Sequence, residues 1–260
     1  MHQIRHIIPE IREWVGVSAG SAMALASAVG KTGETLAHFV ELTAVNQRNA
    51  YFGNLLRGNP VFPHEAMYRS AIRNALDDDA FALLKTLGPV RIFAAYVKEG
   101  EPRFRTVFRA MRSYRYRRVN MVVHAPEELV LGMGEQIFVA QDCQTPAEIC
   151  DKILISSTTP PMTRVPVIDR CTYVDGGLVD NAPVRALTKE AREGKVIVLL
   201  SRHIPREFLP VRHNYFYLAP SRPTPVSIWD YTSPEKVEET FRLGQRDVSQ
   251  HIGELEDFIA

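Results

Sequence analysis

Ser18 is the side chain in this sequence best placed to act as a nucleophile. It lies in Gly16-Val17-Ser18-Ala19-Gly20, a G-x-S-x-G pattern, with the apolar pair Trp14-Val15 before it and an alanine-rich stretch running to Val29 after it. A strand feeding a helix through so sharp a turn lifts the serine oxygen clear of its own backbone. Gly16 and Gly20 remove side chains that would crowd the turn. The Ala19 N–H is left unpaired at the helix N-terminus, where it can face a developing negative charge. A serine hydroxyl still needs a base to take its proton. Asp175, in Asp175-Gly176-Gly177, is the candidate. Its glycines let the chain turn sharply and leave the carboxylate uncrowded, and partial burial would raise its pKa enough for it to serve alone. Asp-Gly between apolar flanks is also a hairpin signal. Taken singly Asp175 is a turn residue; paired with the serine motif it becomes a base.

A histidine between the two is the alternative. Ser18, Asp175 and one of His203, His213 or His251 follow the Ser–Asp–His chain order of α/β-hydrolases, although that fold builds several strands before its elbow and almost nothing precedes Ser18. Asp180 competes with Asp175 on type but reads as part of the turn before Asn181. Asp77-Asp78-Asp79 lacks the glycine and spacing of a calcium loop and reads as a solvated helix end. No metal and no organic cofactor is expected. Cys143, Cys150 and Cys171 are an odd number at wide spacings, unlike a disulfide framework or a zinc site, and point to a reducing compartment.

The elements that must position these groups alternate along the chain. Helices are expected over 18–29, 35–48, 63–76 and 145–156, the last opened by a capping box at Thr145 with Pro146 at the first helical position. Pro160-Pro161 closes that region. A further helix is expected from an Asn181 cap over 182–193 with Gly194 as its stop, and a long one opens at Ser233-Pro234. Strands are expected over 90–97, 119–123, 195–200 and 215–218, with 195–200 as a buried parallel strand, and Thr172-Tyr-Val174 leads into Asp175. Such alternation implies an α/β fold with a mostly parallel central sheet, and 260 residues without an internal repeat or low-complexity linker suit a single domain over 1–260.

Net charge is +1, which predicts no general attraction to polyanions, and no nucleic-acid partner is expected. The near-neutral total hides a polarity. Arg103 to Arg118 holds seven arginines and no acid, interleaved with Phe104, Phe108, Tyr114 and Tyr116; without those arginines the balance is −6. One reading is a solvated irregular connection. The other is contact with an anionic membrane surface through Arg103, Arg105, Arg109 and Arg112. No apolar run reaches the length that spans a bilayer, and the first residues lack a secretion signal, so a cytoplasmic protein, peripheral to membranes, is the expectation.

Gly16-Val-Ser-Ala-Gly-Ser21 with its alanine-rich helix, Tyr173-Val-Asp-Gly-Gly-Leu178 and Asn181-Ala-Pro183 resemble the patatin-like phospholipases. Ile155-Ser-Ser-Thr-Thr-Pro-Pro161 is similar to that family's serine-and-proline segment, and Thr240-Phe-Arg-Leu-Gly244 to the closing helix of its bacterial members. The resemblance implies a three-layer fold and a Ser18–Asp175 dyad without histidine, supported by Gly16, Gly20, Gly176 and Gly177. Its substrates would be lipid acyl esters. The family places a glycine-rich oxyanion loop upstream of the elbow. His2 to Ile11 contains no glycine, so that loop and the first strand are expected to be missing, with Ala19 N–H as the remaining donor. A folded, impaired lipid-binding remnant is the competing expectation. Lipid head group, acyl position and oligomeric state are open at this stage.

Overall fold

The computed structural model describes residues 8, 10–57, 61–126, 130–160 and 162–260, with backbone only at 55–57. Pro161 and most of the glycine-free stretch on which the missing-loop expectation rests lie outside the described residues. The chain opens with β1 (Trp14–Val17), α1 (Ala19–Ala28), α2 (Thr32–Val45), α3 (His64–Ala75) and α4 (Asp78–Thr86). Next come β2 (Val90–Val97), α5 (Arg103–Val119), β3 (Met133–Val139), α6 (Pro146–Ser156), β4 (Val167–Ile168) and β5 (Cys171–Asp175). The last part holds α7 (Lys189–Glu193), β6 (Val196–Leu199), β7 (Tyr215–Leu218), α8 (Pro234–Gln250) and α9 (Ile252–Ile259).

β2 is the axis of a five-stranded sheet. Alternate residues of a strand face opposite ways, and β2 uses both faces. Val90 and Ile92 pack with Leu25 of α1, Ile72 of α3, Leu84 of α4 and Ile153 of α6. Phe93, Ala95 and Val97 pack with Ala110 of α5, Val174 of β5 and Leu178. The architecture is therefore α/β, with helices on both faces of the sheet.

The sheet is mixed rather than mostly parallel. Only β1 runs parallel to β2, while β3 and β5 run antiparallel to it and β4 antiparallel to β5. A single helix between two strands returns the chain to its starting end and makes the strands parallel. Here the chain after α5 comes back to the end where β2 finished, so Met133 stands opposite Val97. β4 and β5 form a two-residue hairpin through Asp169 and Arg170, both at positive φ, as its twist requires. β6 is parallel to β7, as expected of a 195–200 strand, but the pair forms a separate two-stranded sheet.

Three further expectations are corrected. Residues 119–123 are not a strand: Val119 ends α5, and Met121 adopts φ 54° in the turn that follows. The stretch from Arg103 is not irregular. Thr106, Ala110, Ser113 and Arg117 are buried, and Val107, Ala110, Met111 and Tyr114 recur at helical spacing on the side packed against the sheet. The helix over 182–193 is broken. Pro183 leads a short 3-10 turn over Val184–Ala186, Leu187 is extended, and Thr188 caps α7 instead of Asn181. The Thr188 hydroxyl and N–H also donate to Glu13, at 2.6 and 3.0 Å, and Arg91 Nε donates to the same carboxylate at 3.3 Å.

Candidate active site

The elbow forms as the G-x-S-x-G pattern requires. Ser18 joins β1 to α1 at φ 53° and ψ −128°. A non-glycine residue there carries about 1–3 kcal/mol of strain and persists only when its surroundings hold it. The holder is Ser156, fully buried at the end of α6. Ser18 N–H donates to Ser156 Oγ at 2.8 Å, and Ser156 Oγ–H donates to the Phe93 carbonyl of β2 at 2.6 Å. Gly16 is sterically required: a Cβ there would stand 2.5 Å from Ser21 Cα and against the Gly20 carbonyl. Gly20 is not, since a Cβ there meets open space; the expectation that both glycines relieve crowding holds for Gly16 alone. Ala19 sits at the first position of α1, and its N–H has no intrahelical acceptor.

Asp175 is delivered from the other end of the chain. In register, Val17 stands beside Phe93 and Asp175 beside Ala94, two consecutive residues of β2. β3 occupies the opposite edge of β2, so β1 and β5 share one edge and meet end to end. Gly176 permits the junction, because a Cβ there would lie 2.8 Å from Val17 Cγ2 and press on the Phe93 carbonyl. A Cβ on Gly177 would come within 3.0 Å of Asp175 Oδ1.

The carboxylate of Asp175 accepts a hydrogen bond from the Gly177 N–H at 2.7 Å, and the Ser18 and Thr159 side chains lie near enough to favour its ionised form. The surrounding protein desolvates the carboxylate and pushes its pKa up from 3.8 to about 6, these three groups opposing that rise. Its backbone N–H donates to the Thr158 carbonyl at 2.6 Å. The residue itself is half-buried, so one side stays open toward solvent. Ser156 through Thr159 therefore holds both partners, the elbow at one end and the carboxylate at the other.

Sequence reasoning missed several neighbours. Tyr68 of α3 lies beside Asp175; burial raises its phenol pKa and the nearby carboxylate raises it further. His64 stacks on Tyr68 with ring centroids 4.1 Å apart and stands 2.7 Å from Tyr231 Oη and 3.3 Å from Ser157 Oγ. Burial lowers its pKa to about 4, so it is neutral at pH 7. Arg117, fully buried, donates from Nη2 to the carbonyls of Leu178 at 2.6 Å and Gly177 at 3.4 Å, pinning the turn after Asp175. His64 and Tyr68 share a helix face at i, i+4 spacing, but nothing local links that face to residue 175. Arg117 was one arginine among seven. Ser156 carries no signal in the sequence outside the family resemblance.

The other candidates fall elsewhere. His203 Nδ1 is 2.7 Å from the Pro220 carbonyl, His251 Nδ1 is 3.6 Å from Glu254, and His213 is exposed. None of the three is among the hydrogen-bond partners of Asp175. Asp180 accepts from Ala182 N–H at 2.9 Å, within the turn expected of it. Asp77 caps α4 through Ala80 N–H at 2.8 Å, so the triple acid is indeed a helix end. Arg103, Arg105, Arg109 and Arg112 are exposed on α5, against the sheet face opposite α1. Among the described residues no helix is long and apolar enough to cross a membrane.

A family model described as Patatin-like phospholipase matches residues 4–188. No curated protein and no solved structure matches the chain significantly. The matched span covers well over half of the sequence and holds β1, the elbow, the whole five-stranded sheet and Asp175. On that match the chain belongs to the patatin-like phospholipase family.

Proposed function

We propose that the chain is a serine acyl hydrolase acting on lipid acyl esters, with Ser18 as nucleophile and Asp175 as general base. One observation carries this reading: the strained Ser18 elbow and the desolvated Asp175 carboxylate meet at the junction of two strands, with the serine side chain near enough to favour the ionised acid. With a pKa near 6, the carboxylate is ionised at neutral pH and basic enough to take a proton as the bond to carbon forms.

Ser18 Oγ attacks the acyl carbonyl while its proton passes to Asp175. The oxyanion that develops faces the Ala19 N–H and the positive end of α1. Asp175 returns the proton to the departing alkoxide. Water, deprotonated by the same carboxylate, then attacks the acyl carbon and displaces Ser18 Oγ, which takes the proton back from Asp175. Gly177 N–H and Thr159 hold the carboxylate in place through both halves, and Arg117 holds the turn that presents Gly177. These steps call on no metal and no organic cofactor.

Ser18→Ala is expected to reduce hydrolysis of a short-chain p-nitrophenyl ester to background and to abolish labelling by a fluorophosphonate. Labelling of the variant at the parent rate overturns the assignment. Parent protein that binds phospholipid vesicles without turning over either ester or phospholipid also overturns it, in favour of a lipid-binding remnant.

A further inference from the structure

α5 is the one place where the chain concentrates positive charge. It carries seven arginines, no lysine and no acid, while the rest of the sequence carries −6. Its inward side holds Thr106, Ala110, Ser113 and Arg117 with Val107, Met111 and Tyr114 packed partly buried beside them, which leaves other apolar residues of the helix facing outward. Phe104 is 93% exposed and Phe108 70% exposed, one turn apart on the same line of the helix. Val119 continues that line and is also exposed, and exposed Leu131 is placed against the helix by the hydrogen bond from Arg109 to its carbonyl. Arg105, Arg112 and Arg115 flank the stripe and meet no acid or acceptor among the described residues. By contrast Arg103 donates to the Arg170 carbonyl, and Arg109 lies 3.9 Å from Glu101.

We infer that α5 is an interfacial helix that docks the protein on an anionic lipid surface, Phe104 and Phe108 entering the acyl boundary and Arg105, Arg112 and Arg115 engaging lipid phosphates. Charge complementarity selects the partner. Arginine's planar fork matches phosphate oxygens two at a time, which lysine does not. Exposed phenylalanines at i, i+4 beside aliphatic Val119 and Leu131 gain most in hydrocarbon. A nucleic acid would offer stacking to the rings and nothing to the aliphatics. Bound in this way the helix lies in the plane of the interface rather than across it. The inference rests on the outer face of α5 and stands apart from the hydrolytic roles of Ser18 and Asp175.

The test uses the full chain carrying Ser18→Ala, so that vesicles stay intact, in sedimentation with phosphatidylcholine vesicles and with equal parts phosphatidylcholine and phosphatidylglycerol. Binding is expected on the anionic vesicles, weakening as salt rises. Adding Arg105→Gln, Arg112→Gln and Arg115→Gln is expected to weaken it by about fivefold per arginine, about a hundredfold together. Phe104→Ser with Phe108→Ser is expected to weaken it by about tenfold or more at an unchanged melting temperature. Equal binding to neutral and anionic vesicles, no binding to either, or anionic binding untouched by both sets of substitutions overturns the inference. So does tighter binding of a single-stranded oligonucleotide than of anionic vesicles in the same buffer.

Discussion

In the proposed mechanism Asp175 stays ionised at neutral pH and yet holds a proton for part of each turnover. Burial pushes its pKa up; Ser18, Gly177 and Thr159 pull it down; the balance lies at about 6. The same balance has a consequence for stability. An acid whose folded pKa exceeds its unfolded value takes up a proton on folding, so stability falls as pH rises between the two. For Asp175 that window runs from 3.8 to about 6, and above it the cost is about 1–3 kcal/mol. Asp175→Asn removes the ionisation. It is expected to abolish ester hydrolysis and to raise stability by about that amount above pH 6, with no gain below pH 4. Denaturant melts across this range check the sign; a variant less stable than the parent at pH 7 contradicts the desolvation account. The kcat/KM of the parent protein is expected to rise with pH and level off above about 6.

The site exists because two strands end against each other. β1 and β5 share one edge of β2, and the elbow folds α1 back over β1 so closely that Gly16 has no room for a methyl group. Gly20, four residues on and within α1, has nothing within 4 Å. Two alanine substitutions in one motif should therefore act in opposite directions. Gly16→Ala is expected to cost upwards of about 3 kcal/mol, because backbone atoms must move to admit the Cβ. Gly20→Ala is expected to stabilise by up to about 1 kcal/mol through helix propensity. Thermal melts of the two variants decide it, and equal losses would mean that α1 does not cross β1 as described.

Glu13 connects these elements to the rest of the molecule. Its carboxylate holds the cap residue of α7 and pairs with Arg91 of β2, just ahead of β1. Burial opposes its ionisation, but Thr188 and Arg91 together outweigh that and hold its carboxyl below the usual 4.5. A depressed folded pKa stabilises above the unfolded value and is lost as pH falls through the folded one. Glu13→Gln is thus expected to cost about 1–3 kcal/mol at pH 7, lowering Tm by about 2–4 °C for each kcal/mol in a chain of this size. The deficit is expected to shrink below pH 4.5 as the parent carboxylate protonates. A difference independent of pH would show that packing, not charge, is what Glu13 contributes. At the same scale the molecule is electrically lopsided, with its positive charge gathered on the outer face of α5.

Local chemistry was legible in the sequence alone. β2 spans Val90–Val97 as its β-rich composition predicts, and α6 starts where Thr145 and Pro146 place it. The G-x-S-x-G turn and the Asp-Gly-Gly turn both form where their residue types place them, although Ser156 holds the first and Gly176 of the second meets Phe93 and Val17. Strand direction was not legible. Whether β3 runs with or against β2 depends on the path of the chain after α5, which no local pattern records. Nor were the duties of Ser156, His64 and Arg117 in holding the site, whose hydrogen-bond partners lie 60 or more positions away. What only the tertiary structure decided is that Val17, next to Ser18, and Asp175 share one edge of a third strand. Sheet pairing acts between distant segments, and its register brings the Ser18 elbow and the Asp175 turn to the same junction.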